Sequence, residues 1–397
     1  MNSNPLNTSQ TAQTRHGVIL TLAAVMPAMA IISLVPVLPL LTQEFASVEG
    51  VEFLVPIAMT IPALCVALFS PIAGLLSDKT GRKSLLIMSL IIYAVIGLVP
   101  FFLTELPHII MTRVVLGIAE AVIMTVATAL IGDYFQGKAR ERWIAIQIAS
   151  VSLSAIILIA VGGLLGEVLG SRGPFLLYLL ALPIALMCAI VLFEPVKHLR
   201  TAVSHSAKFP IKTVLPLLFT TLFVGLIFYT IIVKLGVILQ LVGDVSPAVI
   251  GGIGAAANIG VALGSVTFSK LKGASGPKLV CIGLLLATLG YVGASLSISL
   301  LVTSASLFVA CFGCGMLLPT MLTWILSLLP DNVRGRGTGL WTGVFFFGQF
   351  AAPIAVAALQ NKMGSLEAVL MLIAGLSLVG AAIAASRLKG AKGLVSH

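Results

Sequence analysis

Three ionisable side chains, Arg113, Glu120 and Lys234, lie well inside long apolar stretches of this sequence. Charged groups are unfavourable in lipid, so residues of this kind are expected to face a cavity or each other. Arg113 and Glu120 are seven positions apart, which places them on one helix face about 10 Å apart along the axis. A carboxyl group in a low-dielectric environment favours its neutral form, whereas a nearby guanidinium favours the ionised form. We therefore predict that Glu120 is a proton-coupling residue. The alternative is a structural acid that pairs with a neighbouring helix.

Other polar residues within the apolar stretches are candidates for lining a substrate cavity. Lys234 lies in the outer part of its stretch, where its side chain faces either that cavity or, through its long aliphatic stem, the lipid headgroups. The remaining candidates are Tyr229, Asn258, Trp324, Trp341 and Gln349. For each of them, packing or an interfacial position is the alternative interpretation.

The composition indicates that these residues belong to a membrane protein. The chain has 397 residues, of which 59% are hydrophobic and 9% are charged, whereas a soluble domain carries roughly 25% charged residues. A net charge of +10 indicates nucleic-acid binding only when the basic residues share one exposed face, and here they form short clusters along the whole chain. The expected surroundings are therefore membrane lipid, and no nucleic-acid partner is expected. The five cysteines lie in apolar segments and imply no disulfide framework, and no cofactor or metal is expected.

A membrane-spanning helix needs roughly 20 apolar residues, and the sequence supplies twelve such stretches. They lie at 17–41, 53–76, 84–103, 107–131, 143–169, 174–193, 213–241, 247–269, 278–297, 300–328, 338–360 and 365–386. Nineteen of the twenty-three Lys and Arg residues then fall on one side of the membrane, which is expected to be the cytoplasmic side. This distribution predicts a multi-pass protein of a bacterial inner membrane with both termini in the cytoplasm.

One cytoplasmic turn, between the second and third apolar stretches, reads GLLSDKTGRKSLL at positions 74–86. Gly74 allows a close helix approach, and Gly81 allows a tight turn. Asp78 lies at the membrane edge, where partners can neutralise its charge. A solvated loop that merely follows the positive-inside rule would explain the basic residues of this turn but not the rest of it.

This turn resembles the signature of the major facilitator superfamily, and the resemblance covers the whole chain. It implies an all-α membrane protein with twelve transmembrane helices in two pseudo-symmetric six-helix bundles around a central cavity. It also implies that the turn is a cytoplasmic gate, in which Asp78 meets the N-terminal end of helix eleven and Arg82 bridges to Asp133. The gate residues implied by the resemblance are Gly74, Asp78, Gly81, Arg82, Lys83 and Asp133.

The longest cytoplasmic connection, at 194–212, divides the apolar stretches six and six. We therefore expect an N-terminal bundle at 15–193 and a C-terminal bundle at 213–387. These would be flanked by a disordered cytoplasmic tail at 1–14 and a cytoplasmic tail at 388–397. A weak echo of the segment 35–41 in the segment 233–239 supports an internal repeat, as is common in secondary transporters.

The segment from Arg113 to Gly117 resembles a second signature of the family, whose Arg is implicated in proton transfer in proton-coupled members. Glu120 departs from this pattern, because a small residue is usual there. Leu158-Ile159 stands where drug–proton antiporters usually have Gly-Pro. The expected function is a monomeric secondary transporter that exports small organic compounds by proton coupling. The alternatives are a proton-coupled importer or exchanger of an organic anion, and a non-transporting membrane sensor or scaffold.

An enzyme is not expected. The segment 132–139 has the spacing of a phosphate-binding loop, but it lacks the Ser or Thr that would hold magnesium and ends an apolar stretch instead of following a strand. Without a nucleotide-binding motif, transport would be driven by an ion gradient.

Overall fold

The structure is a computed structural model that describes residues 13–195, 209–271, 273–330 and 333–388. The predicted tails and most of the predicted linker at 194–212 lie outside the described residues. The boundaries of the two predicted bundles therefore stay predictions.

Thirteen α-helices are present in the described ranges. They are α1 (Thr14–Ile32), α2 (Leu38–Glu44), α3 (Val51–Thr80), α4 (Arg82–Leu98), α5 (Leu106–Tyr134), α6 (Gly137–Leu169), α7 (Ala181–Val191), α8 (Ile211–Gln240), α9 (Pro247–Leu271), α10 (Gly276–Leu296), α11 (Leu300–Ser327), α12 (Arg334–Met363) and α13 (Leu366–Ser386). Three 3-10 segments lie between them, at Val35–Val37, Val99–Phe101 and Gly170–Leu180.

Eleven helical stretches in the described residues are long and apolar enough to cross a membrane, one fewer than the twelve predicted from the sequence. The difference lies in the stretch Gly137–Val191, which has 55 residues and contains both the fifth and the sixth predicted spans. A helix of that length would extend for about 80 Å, far more than the roughly 30 Å of a bilayer core. The α-helix also ends at Leu169, directly before Gly170, which has a φ of 72°. The stretch is thus interrupted there, and its 55 residues are enough for two crossings.

The first predicted span is a broken helix. It consists of α1, the 3-10 segment Val35–Val37 and the short helix α2. Pro36 and Pro39 lie at the first positions of the last two elements, where a proline fits because the missing N–H has no helical acceptor there anyway. The outer third of this span therefore departs from a regular α-helix.

The helices pack in two groups that meet along two pairs of helices. Within the first group α5 packs against α1, α3 and α4, and within the second group α10 packs against α11 and α13. Between the groups, α3 packs against α12 and α6 packs against α9. This arrangement places the middle of α5 within the first group and the α8–α12 contact within the second.

Small residues allow the closest approach between the two groups. A Cβ atom added at Gly163 of α6 would lie 2.5 Å from the carbonyl oxygen of Pro247 and 2.9 Å from the Cα of Gly251 on α9. Only a glycine fits such a contact, as is general for closely packed membrane helices. By the predicted orientation, this contact lies toward the outer end of the helices.

Candidate functional site

Arg113 on α5 is buried by a set of neutral partners. The residue is 1% exposed, Nη1 donates to the Tyr178 hydroxyl at 2.8 Å, and Nη2 donates to the Gly97 carbonyl oxygen at 3.2 Å. The guanidinium also lies 5.0 Å from the ring centres of Phe175 and Tyr178, where the ring faces attract a cation. These contacts hold the cation in place without a bonded counterion.

Two tyrosine hydroxyls connect this site to α1. Tyr178 donates to the Ala30 carbonyl oxygen at 3.0 Å, and Tyr93 on α4 donates to the Met26 carbonyl oxygen at 2.5 Å. Ala30 lies in the last turn of α1, where the carbonyls have no helical donor. Gly97 is also required for this arrangement, because a Cβ there would lie 2.3 Å from the Tyr178 ring. The sequence predicted Arg113 but neither tyrosine.

Glu120 lies on the same face of α5 and is 3% exposed. Its Oε1 atom is buried and lacks a hydrogen-bond partner among the described residues, and so does the Nε atom of Arg113. The two side chains interact electrostatically, although no hydrogen bond or ion pair in the described part of the chain joins them. A buried carboxyl oxygen without a partner is unfavourable when ionised. The burial of Glu120 therefore disfavours its ionised form in this structure.

The position of Glu120 depends on a close contact between α5 and α3. A Cβ at Gly117 would lie 2.6 Å from the Cα of Pro62 and 2.7 Å from the Cβ of Cys65. Because these backbones approach so closely, the next turn of α5 directs Glu120 towards the group interior, where it interacts electrostatically with Cys65 and Tyr93.

Lys234 on α8 lies inside the protein. It is 6% exposed, whereas a side chain that extends to the lipid headgroups would have an exposed stem and amine. Its electrostatic partner is Glu52, in the first turn of α3. Lys234 therefore lies close enough to the other helix group to respond to its charge.

An aromatic cluster joins α8 to α12. The rings of Tyr229 and Phe345 have centres 5.4 Å apart, and those of Trp341 and Phe345 are 5.6 Å apart with an angle of 2° between their planes. Gln349 continues the same face of α12, since positions four apart are neighbours on a helix. The Trp341 Nε1 and Gln349 Oε1 atoms are buried without a partner among the described residues. This surface thus offers stacking, one donor and one acceptor.

Phe345 was missed in the sequence, although its spacing of four residues from both Trp341 and Gln349 is visible there. The structure brings Tyr229 close to this row of residues. Asn258 instead donates to the Gly254 carbonyl oxygen of its own helix, at 2.9 Å.

Trp324 is not brought into this cluster. Its indole packs on the first turn of α10, where a Cβ at Gly276 would lie 2.5 Å from the ring. It borders a small separate core formed by Phe268, Leu279 and Met316. The structure therefore gives Trp324 a packing role.

The turn at 74–86 is held by two acidic residues. Arg82 forms an ion pair with Asp133 at the end of α5. The backbone N–H groups of Arg82 and Lys83 donate to the two carboxylate oxygens of Glu194, at 2.6 and 2.9 Å. Gly81 makes this possible with a φ of 97°. Since the first N–H groups of a helix have no internal acceptor, Glu194 supplies one for α4.

Sequence reasoning missed Glu194, because nothing in the local pattern connects it to residues more than a hundred positions earlier. Gly74 is less restricted than expected, since a Cβ there would lie 3.8 Å from its nearest neighbour, Thr125. The Asp78 side chain lies outside the described part of the structure. Its contact with the N-terminal end of α12 stays a prediction.

Comparison with known proteins gives this arrangement a family. The family model described as Major Facilitator Superfamily matches residues 20–353. The chain is 30% identical over 188 residues to the tetracycline resistance protein, class H, of Pasteurella multocida, which covers 47% of this chain and 46% of that protein. It is 29% identical over 177 residues to multidrug resistance protein 1 of Bacillus subtilis (strain 168), covering 40% and 45%. The chain thus matches about half the length of these relatives.

A solved structure shares the fold over a longer range. The inward-facing, occupied form of a bacterial homolog to the human lysosomal transporter Spinster has a TM-score of 0.74 and 18% identity, covering 93% of this chain and 94% of that one. The two chains therefore share one fold, which in the described part of this chain is built from long apolar helices. Because the family model spans most of its length, the chain belongs to the major facilitator superfamily.

Proposed function

We propose that this protein exports small organic compounds from a bacterial cell in exchange for protons, by alternating access across the inner membrane. The observation that carries the proposal is Glu120, a buried carboxyl group with an unpartnered oxygen on the same helix face as a fixed cation. The names of the relatives, a tetracycline resistance protein and a multidrug resistance protein, favour export of organic compounds.

The charged pair, Arg113 and Glu120, can couple protons to a conformational change. Arg113 is held by neutral hydrogen bonds and ring contacts, so its position does not depend on the charge of Glu120. Glu120 has no such partners and is neutral when buried, because an unpaired carboxylate is unfavourable in a dry interior. Water that enters on one side stabilises the ionised form. Each cycle would then move a proton from one side to the other.

The substrate would bind on the α8–α12 surface of Tyr229, Trp341, Phe345 and Gln349. The predicted gate turn, including Gly74, Asp78, Gly81, Arg82, Lys83 and Asp133, would close the cytoplasmic side. The Arg82–Asp133 ion pair and the Glu194 contacts support this role, because they make the turn a rigid unit. We propose that the transporter works as a monomer with both termini in the cytoplasm.

A second candidate function is import or exchange of an organic anion. The observation in its favour is Lys234, which is buried in the protein. Arg113 and Lys234 are two buried cations, and an ionised Glu120 can offset only one of them, so an anion would be attracted.

The experiment that tests the main proposal is a flux measurement in proteoliposomes with an imposed pH gradient and a panel of organic compounds. Glu120→Gln imitates the protonated side chain at almost the same volume. We expect this variant to lose gradient-driven transport while it keeps substrate exchange in the absence of a gradient.

The matched control is Glu49→Gln, the same substitution at an exposed loop position, which should transport normally. If Glu120→Gln still moves substrate against its gradient with the wild-type pH dependence, Glu120 is not the coupling residue.

A further inference from the structure

Two cavities lie next to each other at one end of the first helix group, the end that carries Glu44 and Thr104. In the predicted orientation this is the outer end. The first is a recess of about 330 Å³ whose walls include Glu44, Thr104 and Glu105. The second is a small internal cavity of about 20 Å³, lined by Val55, Met59 and Ile109 among others, and it reaches Arg113. Phe45 and Leu106 line both cavities. Only these two side chains are shared, so they form the wall between the surface recess and the interior.

The broken first span explains why there is space here. The inner cavity is lined by residues of this span, of α3 and α5, and of the Gly170–Leu180 segment. After α1 the chain passes through the 3-10 segment Val35–Val37 and the short α2, which ends at Glu44. Phe45 follows directly and turns its ring inward, where it is 5% exposed.

The contacts of Arg172 hold Phe45 in place. The Arg172 guanidinium lies 5.6 Å from the centre of the Phe45 ring, and its Nη2 atom donates to Glu44 Oε1 at 2.5 Å. Arg172 also donates to the carbonyl oxygens of Pro100 and Leu103. These bonds link the end of α2 to the segments that contain Pro100, Leu103 and Arg172.

The residues that line the inner cavity are buried and nearly all apolar. Its volume of about 20 Å³ has room for one water molecule, but a buried water needs two to four polar partners. The polar group on the cavity wall is Arg113, whose Nε atom is buried without a partner among the described residues. A continuous water chain from the recess would supply the missing partners, and it would have to pass the wall of Phe45 and Leu106.

We propose that this recess is an aqueous access route from the outer surface to Arg113, with Phe45 as its gate. The route lies within the first helix group, so outer water reaches Arg113 without opening a path between the two groups. The proposal rests on the proton-coupled function above.

The groups that face the pair are consistent with such a route. They are Cys65 from α3, Tyr93 from α4 and Tyr178 from the Gly170–Leu180 segment, with backbone carbonyls from α1. At the mouth lie Glu44, Glu105, Arg172 and His108, the last of which contacts Glu105 at 3.2 Å. Phe45 and Leu106 therefore separate the charged groups at the mouth from the inner cavity, which reaches Arg113.

The test is cysteine accessibility in a variant whose five native cysteines are replaced. Met59→Cys places a thiol in the inner cavity, where the native side chain is 2% exposed. Val55→Cys, also in the cavity wall, serves if the first variant does not fold. Tyr229→Cys reports the α8–α12 surface of the second group, where the substrate is proposed to bind. The probe is 2-sulfonatoethyl methanethiosulfonate, a membrane-impermeant anion, added to the outer or the inner face of oriented vesicles.

We expect Phe45→Ala to speed the reaction of Met59→Cys from the outer face by about tenfold, which corresponds to a barrier lower by about 1.4 kcal/mol. The reaction of Tyr229→Cys should stay unchanged. Phe45→Leu keeps most of the bulk and should give a smaller increase. The proposal is wrong if Phe45→Ala has no effect, if both thiols change in parallel, or if Met59→Cys reacts only from the inner face. The readout is accessibility rather than transport, so it is independent of whether Glu120→Gln abolishes coupling.

Discussion

Each helix group has a buried tyrosine at its centre that donates to a backbone carbonyl oxygen, but the side chains around the two tyrosines differ. In the first group Tyr93 on α4 donates to the Met26 carbonyl oxygen of α1, and in the second Tyr291 on α10 donates to the Ile227 carbonyl oxygen of α8. In both groups a tyrosine of the third span is thus bonded to the backbone of the first. Around Tyr93 the interior holds Arg113 and Glu120, whereas around Tyr291 it holds neutral groups.

The neutral groups of the second core satisfy one another locally. Thr288 donates to the Leu284 carbonyl oxygen at 2.8 Å and approaches the Ala374 carbonyl oxygen at 3.4 Å. Hydroxyls of this kind need no counterion, and their burial is inexpensive once they are bonded. The centre of the second group around Tyr291 is thus built from neutral groups, whereas the first contains the ionisable residues Arg113 and Glu120. The comparison is consistent with the proposal that places proton chemistry in the first group and substrate stacking in the second.

Removal of the buried cation should have the largest effect on stability. Arg113→Met leaves the Gly97 carbonyl oxygen unpaired and removes two ring contacts, so we expect the free energy of unfolding to fall by about 3 kcal/mol. Thr288→Val in the second core should lower it by about 1 kcal/mol. Denaturant unfolding in detergent micelles measures both. Equal losses in the two variants would remove the distinction between the two cores.

Lys234 is the buried cation of the second group. It tests most directly whether proton chemistry and substrate stacking are divided between the two groups. For an exporter that binds its substrate by stacking, Lys234→Gln should leave substrate affinity nearly unchanged. For an anion carrier the same change should weaken affinity by about tenfold, or about 1.4 kcal/mol, and Lys234→Arg should be partly tolerated. Equilibrium binding of neutral and anionic compounds distinguishes these results, with the exposed Lys362→Gln as the control.

Tyr93 and Tyr291 test whether the hydrogen bond from tyrosine to a backbone carbonyl has a purely structural role in the second group. Tyr93→Phe and Tyr291→Phe each remove one hydroxyl bonded to a backbone carbonyl, so each should lower the free energy of unfolding by about 1 kcal/mol. Of these two tyrosines, Tyr93 is the one that interacts electrostatically with the charged pair. The pH profile of transport should therefore change in Tyr93→Phe alone. A matching change in Tyr291→Phe would contradict this expectation.

The smallest expected effect concerns the cytoplasmic turns. Glu194 accepts two N–H bonds at the start of α4, whereas the N-cap of α10, Ser275, makes no side-chain cap. Glu194→Gln should weaken the interaction with the helix dipole by about 0.5 kcal/mol, and Ser275→Ala should change little. Hydrogen exchange of the Arg82 and Lys83 amides measures the difference. No faster exchange in Glu194→Gln would show that the turn is held by the Arg82–Asp133 pair alone.

The sequence by itself located the apolar spans, the isolated ionisable residues within them and the turn at 74–86. Hydropathy over about 20 residues identifies a crossing whatever its neighbours are, and a charge such as Glu120 is conspicuous in an apolar stretch. The prediction of Gly81 at a tight turn was also local. The break in the first span follows from Pro36 and Pro39, which are visible in the sequence although a single helix was predicted there.

Only the tertiary structure decided what these residues contact. Arg113 is bonded to Tyr178, 65 positions away, and α4 is capped by Glu194, 112 positions from Arg82. The inward position of Lys234 and the packing role of Trp324 were equally inaccessible to the sequence. The physical reason is that these helices are apolar on nearly all sides. A helix in water shows which face is buried through its polar residues, whereas in lipid both the inner and the outer faces are apolar, so the rotation of each helix is set by its neighbours.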